Sequence, residues 1–104
     1  MPGKYRVELT AAALTDLNGI LEFIAQDSPT EALRWLDAME RRIRSLERAP
    51  LRCAVIPETA ELGREYRHLL FGNYRAIYRV EGVAVWVIRV IHGAQLLDTS
   101  ALEE

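Results

Sequence analysis

The residue types that could carry out chemistry in this sequence are concentrated in one apolar and aromatic stretch, residues 66–93. Guanidinium and imidazole groups brought together there could bind phosphate, act as general acid and base on RNA, or recognise an acidic peptide. The alternative is that the arginines pair with neighbouring glutamates or backbone carbonyls, and the sequence leaves both interpretations open. The candidate residues are Arg67, Arg75, Arg79, Arg89 and His92.

Three predicted strands position these side chains. Whether they meet depends on the turns between the strands, because the side chains of a strand alternate between the two faces of its sheet. Turn residues of the type found in tight hairpins stand at Gly72–Asn73 and at Glu81–Gly82. The strands are predicted over residues 66–71, 74–80 and 83–92.

The register of the two hairpins decides which candidate residues share a face. If the second turn is a two-residue loop at Glu81–Gly82, Arg75 lies on the same face as His92. The face of Arg67 depends on the first turn. A two-residue loop places Arg67 opposite Arg75, whereas a bulge or one more loop residue brings the two to one face.

The N-terminal half predicts a strand followed by a helix. Residues 5–10 alternate apolar and polar side chains, which is the pattern of a half-buried strand. Thr10 suits a helix N-cap, and Asp16 is expected near the positive end of the helix, where the dipole favours an acid. The apolar positions with helical spacing are Leu14, Leu17, Ile20, Leu21 and Ile24.

A second helix has the clearest start in the chain. Ser28 is the predicted N-cap, Pro29 takes the first helical position, and Glu31 is placed to reach back to the cap amide. Ala49–Pro50 is expected to end the helix, and the short connection of residues 26–28 predicts an antiparallel helical hairpin. The apolar stripe consists of Ala32, Leu36, Met39, Ile43 and Leu46, widened by Leu33 and Trp35.

The order of elements predicts a two-layer α+β fold. An N-terminal strand, an antiparallel helical hairpin and a three-stranded antiparallel meander can bury the apolar stripe of the helices on one face of the sheet. Residues 51–64 show no periodicity and predict an irregular connection. A length of 104 residues fits one domain spanning residues 1–104, with a tail from about residue 94.

Composition narrows the function classes. The formal net charge of −2 argues against a strong general field for nucleic acid, although residues 64–93 carry five arginines against two glutamates and could form a local basic patch. Cys53 is the only cysteine, which excludes an intrachain disulfide. With no metal-spaced ligand set and no Gly-rich phosphate loop, we expect neither a metal nor a cofactor. We also expect no membrane partner and a cytoplasmic location, since no targeting segment is recognisable.

The residues of the two hairpins resemble the RelE/ParE superfamily of bacterial toxins from type II toxin–antitoxin systems. The resemblance rests on Tyr66-Arg67, on the run Gly72-Asn73-Tyr74-Arg75-Ala76-Ile77-Tyr78-Arg79-Val80 and on the strand that ends in His92-Gly93. It implies a growth-inhibiting toxin of the plasmid-stabilisation type that is held inactive by a co-expressed antitoxin. It also implies contact with operator DNA only through that antitoxin.

The superfamily divides by mechanism, and this chain departs from one branch. RelE-like members cleave mRNA in the ribosome without metal, and resemblance to them implies catalytic roles for Arg75, Arg67 and His92. Against that branch, Leu69 stands in a strand that is usually lysine-rich, Gly93 stands where an arginine is common, and no tyrosine follows Tyr78. Resemblance to ParE-like members implies inhibition of DNA gyrase by binding, and we favour this branch.

The resemblance leaves two non-enzymatic roles for the arginines. They could bind the antitoxin or the target in a toxin that acts by binding, or they could serve only to bind the antitoxin in a module that is harmless to growth. A free sheet edge and an exposed flank of the helical hairpin are also compatible with a homodimer. The residues proposed for antitoxin or target binding are Arg67, Arg75, Arg79 and Arg89.

Overall fold

A computed structural model describes residues 3–57 and 64–93 of the chain. Its elements confirm the predicted α+β fold, while the predicted tail from residue 94 lies outside the described residues. Two short 3₁₀ turns, at Ser45–Glu47 and Pro50–Arg52, follow the second helix. The helices and strands are β1 (Arg6–Leu9), α1 (Ala11–Ala25), α2 (Pro29–Arg44), β2 (Arg67–Phe71), β3 (Tyr74–Glu81) and β4 (Ala84–His92).

Both helices begin at the predicted caps. The Thr10 hydroxyl accepts a hydrogen bond from the Ala13 amide at 3.1 Å, and the Ser28 hydroxyl accepts from the Glu31 amide at 3.2 Å. These bonds satisfy amides that have no partner inside the first helical turn. The second half of the predicted capping box is absent: the Glu31 carboxylate accepts from the Arg34 guanidinium at 2.9 Å instead.

The second helix ends earlier than predicted. α2 stops at Arg44, and the chain tightens into the 3₁₀ turn Ser45–Glu47 before Ala49 adopts a left-handed conformation with φ of 48°. The Arg52 guanidinium donates to the carbonyl oxygens of Arg48 and Ala49 at 2.7 and 3.2 Å. The Ala49 carbonyl also accepts from the Arg52 amide, so Arg52 holds together the connection that follows α2.

The four strands form one sheet in the order β1-β4-β3-β2. β1 runs parallel to β4, and the other neighbours are antiparallel. Phe71 pairs with Tyr74, so the first turn is a two-residue loop, one of the two registers that the sequence left open, with Gly72 at φ of 56°. Glu81 pairs with Ala84, which shifts the second turn to Gly82–Val83, one residue later than predicted.

Helices cover one side of the sheet, which we call the helix face, and the other side is the open face. The helix-face core joins α1 and α2 to the sheet through Leu17, Met39, Ile43, Tyr78 and Val87. A second cluster of buried residues lies on the open face and consists of Ile56, Tyr66, Ile77, Ile88 and Ile91, with Trp86 packed against it. The sheet therefore buries apolar side chains on both faces.

A β-bulge interrupts the pairing of β3 with β4. Tyr78 pairs with Val87 and its neighbour Ile77 pairs with Arg89, so Ile88 is an additional residue in β4. An additional residue changes the alternation of every side chain beyond it.

Within the described residues, no helix is long and apolar enough to cross a membrane.

Candidate functional site

Arg75 lies on the open face and is only 5% exposed. Its strand partners are Leu70 on β2 and Ile91 on β4. The Arg75 Nη1 atom lies 3.3 Å from Nδ1 of His68, which is a donor–acceptor distance if that ring nitrogen carries no proton. Arg75 and His68 therefore form a guanidinium–imidazole pair on the open face.

Arg79 shares the open face with Arg75, because it pairs with Trp86 of the open-face cluster. Its Nη2 atom lies 3.0 Å from a carboxylate oxygen of Glu81, two residues further along the same strand. The Glu81 side chain is largely exposed. The Arg79 side chain is itself 23% exposed, and an ion pair with an exposed carboxylate adds little to stability.

Arg67 lies on the helix face, since its strand partner is the core residue Tyr78. Its guanidinium donates to the backbone carbonyl of Cys53 at 2.6 Å and also forms an ion pair with Glu65. The first hairpin thus takes the two-residue register that places Arg67 opposite Arg75. Arg67 therefore links β2 to the irregular connection that contains Cys53.

Arg89 pairs with Ile77 of the open-face cluster, but its guanidinium binds α1. Its Nε and Nη2 atoms donate to the two carboxylate oxygens of Asp16 on α1, at 2.7 and 3.0 Å. The Val90 amide donates to the same carboxylate at 2.9 Å. Asp16 therefore accepts three bonds from β4. It lies beyond the first turn of α1, so the prediction that it interacts with the helix dipole was wrong.

His92 lies on the helix face near the end of β4, opposite to Arg75. It pairs with Tyr74, whose ring is 5.7 Å from the imidazole and 5.4 Å from the ring of Trp35 on α2. The prediction that Arg75 and His92 share a face was wrong. Its physical cause is the bulge at Ile88, which reverses the alternation of the last residues of β4.

The candidate residues thus do not form one group. Arg75 and Arg79 lie on the open face, Arg67 and His92 lie on the helix face, and Arg89 is bound to Asp16 of α1. No single cluster of two arginines and a histidine forms from the three residues expected for a nuclease. The chemistry available on the open face is that of two arginines and the imidazole of His68.

Comparison with known proteins identifies the family. The model described as the ParE toxin of the type II toxin–antitoxin system parDE matches residues 7–97. The chain belongs to this family. The resemblance to the RelE/ParE superfamily is confirmed, and the protein is the toxin component of a type II toxin–antitoxin system. A search of curated proteins found no significant match.

Two solved structures resemble this member of the ParE family. One, described as the chromosomal ParDE toxin–antitoxin system from P. aeruginosa, matches with a TM-score of 0.71 and 19% identity, over 88% of this chain and 98% of that chain. The other, the toxin–antitoxin complex RelBE2 from Mycobacterium tuberculosis, matches with a TM-score of 0.58 and 29% identity, over 86% of this chain and 98% of that chain. At 19% identity, the first likeness establishes the fold alone.

The sequence-based prediction missed three residues that organise this ParE-family fold. Asp16 binds β4, His68 contacts Arg75, and the buried Tyr78 hydroxyl donates to the Pro50 carbonyl. Burial, followed by hydrogen bonding with the Cys53 side chain, raises the pKa of Tyr78 above its usual value. A signal for Asp16 was present in the sequence: Arg89 interrupts an apolar strand and therefore requires an acidic partner.

Proposed function

We propose that this ParE-family toxin inhibits growth in the cytoplasm, when free of its antitoxin, by binding DNA gyrase rather than by cleaving mRNA. The observation that carries the proposal is the separation of Arg75 from His92 and Arg67 across the sheet. General acid–base cleavage of RNA needs its proton donor, proton acceptor and phosphate-binding group within hydrogen-bonding reach of one phosphodiester. Side chains that project from opposite faces of a sheet do not meet this requirement.

The surroundings of the arginines support an inhibitor that acts by binding. Arg67 is already bonded to Glu65 and to the Cys53 carbonyl, and Arg89 is held by Asp16. Breaking these bonds to accept a phosphate would cost the Cys53 carbonyl and the largely buried Asp16 carboxylate their bonds to arginine. We therefore assign Arg67 and Arg89 a role in the fold, and retain Arg75 and Arg79 as the proposed target-binding arginines.

One observation favours the alternative, a RelE-like ribosome-dependent endoribonuclease. Arg75, Arg79 and His68 share the open face, and Arg75 contacts the imidazole of His68. An imidazole beside a guanidinium can serve as a general base while the arginine stabilises negative charge on phosphate. This set differs from the residues predicted for a nuclease, because His68 takes the place of His92.

We also propose a cognate antitoxin as the partner of this chain, since both similar structures are of toxin–antitoxin systems. β1 is an edge strand of the described sheet, and the amides of Arg6 and Thr10 donate inward, to the carbonyls of Val83 and Val87. By alternation, the backbone groups of Val7 and Leu9 point outward, where an extended peptide could add as a further strand. A groove of about 270 Å³ beside this edge, lined by Leu14, Leu17 and Ile43 among others, would receive apolar side chains of that peptide.

Purified toxin tests the choice of target. Gyrase supercoiling and DNA-cleavage assays should show loss of supercoiling or stabilised cleavage when the toxin is in excess over gyrase. A cell-free translation reaction with a ribosome-bound mRNA should show no new cuts. Unimpaired gyrase together with codon-positioned cuts would reverse the assignment in favour of the nuclease.

Variants of the open face separate the roles within one experiment. Arg75→Ala and His68→Ala would abolish mRNA cleavage if the toxin were a nuclease, and His92→Ala would leave it intact. Arg34→Ala, on an exposed part of α2, is the matched control for loss of one arginine. Harmless expression of the wild-type toxin without antitoxin would instead support the antitoxin-binding module.

A further inference from the structure

The last part of β4 extends beyond the end of its neighbour β1. The parallel pairing of β1 with β4 ends at Leu9 and Val87, so β1 does not pair with residues 88–92. Backbone groups left in this position need other hydrogen-bond partners, because an unpaired buried amide or carbonyl is costly. The bulge at Ile88 lies where this pairing ends.

Two side chains from the start of α1 supply these partners. The Thr10 hydroxyl donates to the Ile88 carbonyl at 2.8 Å while it also caps α1. Six residues further on, the Asp16 carboxylate accepts from the Val90 amide at 2.9 Å. Thr10 and Asp16 thus continue, with side chains, the hydrogen bonding that β1 provides to the earlier part of β4.

Asp16 combines this backbone contact with an ion pair. Its side chain is only 16% exposed and accepts two further bonds from the Arg89 guanidinium, at 2.7 and 3.0 Å. Charge-assisted bonds are stronger than neutral ones. All three bonds to Asp16 come from Arg89 and Val90, the two residues that follow the additional residue Ile88. The carboxylate therefore binds the bulged backbone and the side chain that the bulge displaces.

We propose that Asp16 is the positioning residue that fixes the β-bulge of β4, and that it thereby decides which face His92 occupies. Without the bulge, continuation of the pairing of Tyr78 with Val87 would match Tyr74 with Ile91 and turn His92 toward the face of Arg75. With the bulge, His92 pairs with Tyr74 on the helix face. One acidic side chain on α1 then determines whether the basic residues of the two hairpins come together.

The test compares the full-length wild-type protein with Asp16→Ala by NMR. In the wild type, ring contacts between Tyr74 and His92 should give cross-strand NOEs. In the variant, these NOEs should weaken in favour of Tyr74–Ile91 contacts, and the Val90 amide should exchange with solvent at least about tenfold faster. Unchanged NOEs and unchanged Val90 exchange would overturn the proposal.

Two further variants, Asp37→Ala and Arg89→Met, serve as comparisons for this test. Asp37→Ala removes an acid whose ion pair with Arg41 is exposed on α2, so it should change neither signal. Arg89→Met leaves the bond from Asp16 to the Val90 amide and should retain the wild-type NOEs. If it shifts the register as Asp16→Ala does, Asp16 fixes the bulge through its ion pair with Arg89, which also supports the proposal.

If Asp16→Ala does not fold, Asp16→Asn provides the decision. Asparagine keeps a side-chain oxygen for the Val90 amide but carries no charge, so the bond to it is weaker. The Val90 amide should then exchange with solvent several times faster than in the wild type, because its bond is to a neutral oxygen, while the Tyr74–His92 NOEs persist. Wild-type Val90 exchange in this variant would refute the role given to the carboxylate.

Discussion

The helix face and the open face of the sheet treat arginine differently. Arg67, on the helix face, binds Glu65 and the Cys53 carbonyl, and Arg89 binds Asp16, which also accepts from the Val90 amide. On the open face, Arg75 is 5% exposed and lies beside His68, and Arg79 pairs with the exposed carboxylate of Glu81. Arginines that look alike in the sequence therefore have different surroundings in the fold.

The largest expected effect comes from the core of the helix face. Leu46→Ala removes a fully buried side chain and should lower the free energy of unfolding by about 2–5 kcal/mol, from lost burial and the cavity left behind. Leu33→Ala, at a position 64% exposed on α2, is the matched control and should cost less than about 1 kcal/mol. Urea denaturation measures both. Equal losses would show that the two positions do not differ in packing.

A smaller effect should separate the two kinds of arginine. Arg89→Met leaves Asp16 without its charged donor and should lower the free energy of unfolding by about 2 kcal/mol. Arg79→Met removes an exposed pair and should cost at most about 1 kcal/mol. A double-mutant cycle of Asp16 with Arg89, compared with one of Glu81 with Arg79, measures the coupling directly. Equal coupling energies would contradict the distinction between these surroundings.

Tyr78 tests the polar contact inside the helix-face core. Tyr78→Phe keeps the ring but leaves the Pro50 carbonyl without its donor, which should cost about 1 kcal/mol near neutral pH. The fold raises the pKa of this phenol. The stability that the phenol contributes is therefore present below the pKa of the unfolded phenol, about 10, and is lost progressively as the pH rises above that value. The stability of the wild type should therefore fall more steeply above pH 10 than that of Tyr78→Phe. Parallel alkaline profiles would contradict this.

The smallest effect is expected at the exposed part of the open face. Leu70→Ser, at a residue 57% exposed, should change the free energy of unfolding by less than about 0.5 kcal/mol. Its neighbour Leu69 points to the helix-face core, and Leu69→Ala should cost several times more. Thermal unfolding of the two variants compares the faces at adjacent positions. A large loss at Leu70 would mean that the open face is packed there.

Much of the fold was predictable because its signals are local. The caps at Thr10 and Ser28, the two-residue turn at Gly72–Asn73 and the strand patterns all depend on residues a few positions apart. The end of α2 was predicted too late, since Pro50 marks where a helix cannot continue rather than where it stops. The second turn was misplaced by one residue for a similar reason: Glu81–Gly82 and Gly82–Val83 are both acceptable turn pairs.

The candidate site was predictable only in its residue types. Arg67, Arg75, Arg79, Arg89 and His92 were recognised as the polar members of apolar strands, but their grouping was not. The face of His92 depends on a bulge that no local pattern in β4 marks, and the face of Arg67 depends on the length of the first turn. The binding role of Arg75 and Arg79 stays a prediction for the gyrase and variant assays to test.

The sequence by itself determined the elements, their order and the superfamily, because periodicity, caps and turn residues act over a few positions. Only the tertiary structure decided which basic residues meet. The contact that accompanies the bulge joins Asp16 to Arg89 and Val90, more than 70 residues apart in the chain. One additional residue in a strand reverses every side chain beyond it, and the need of β4 for hydrogen-bond partners past the end of β1 is visible only once the sheet is formed.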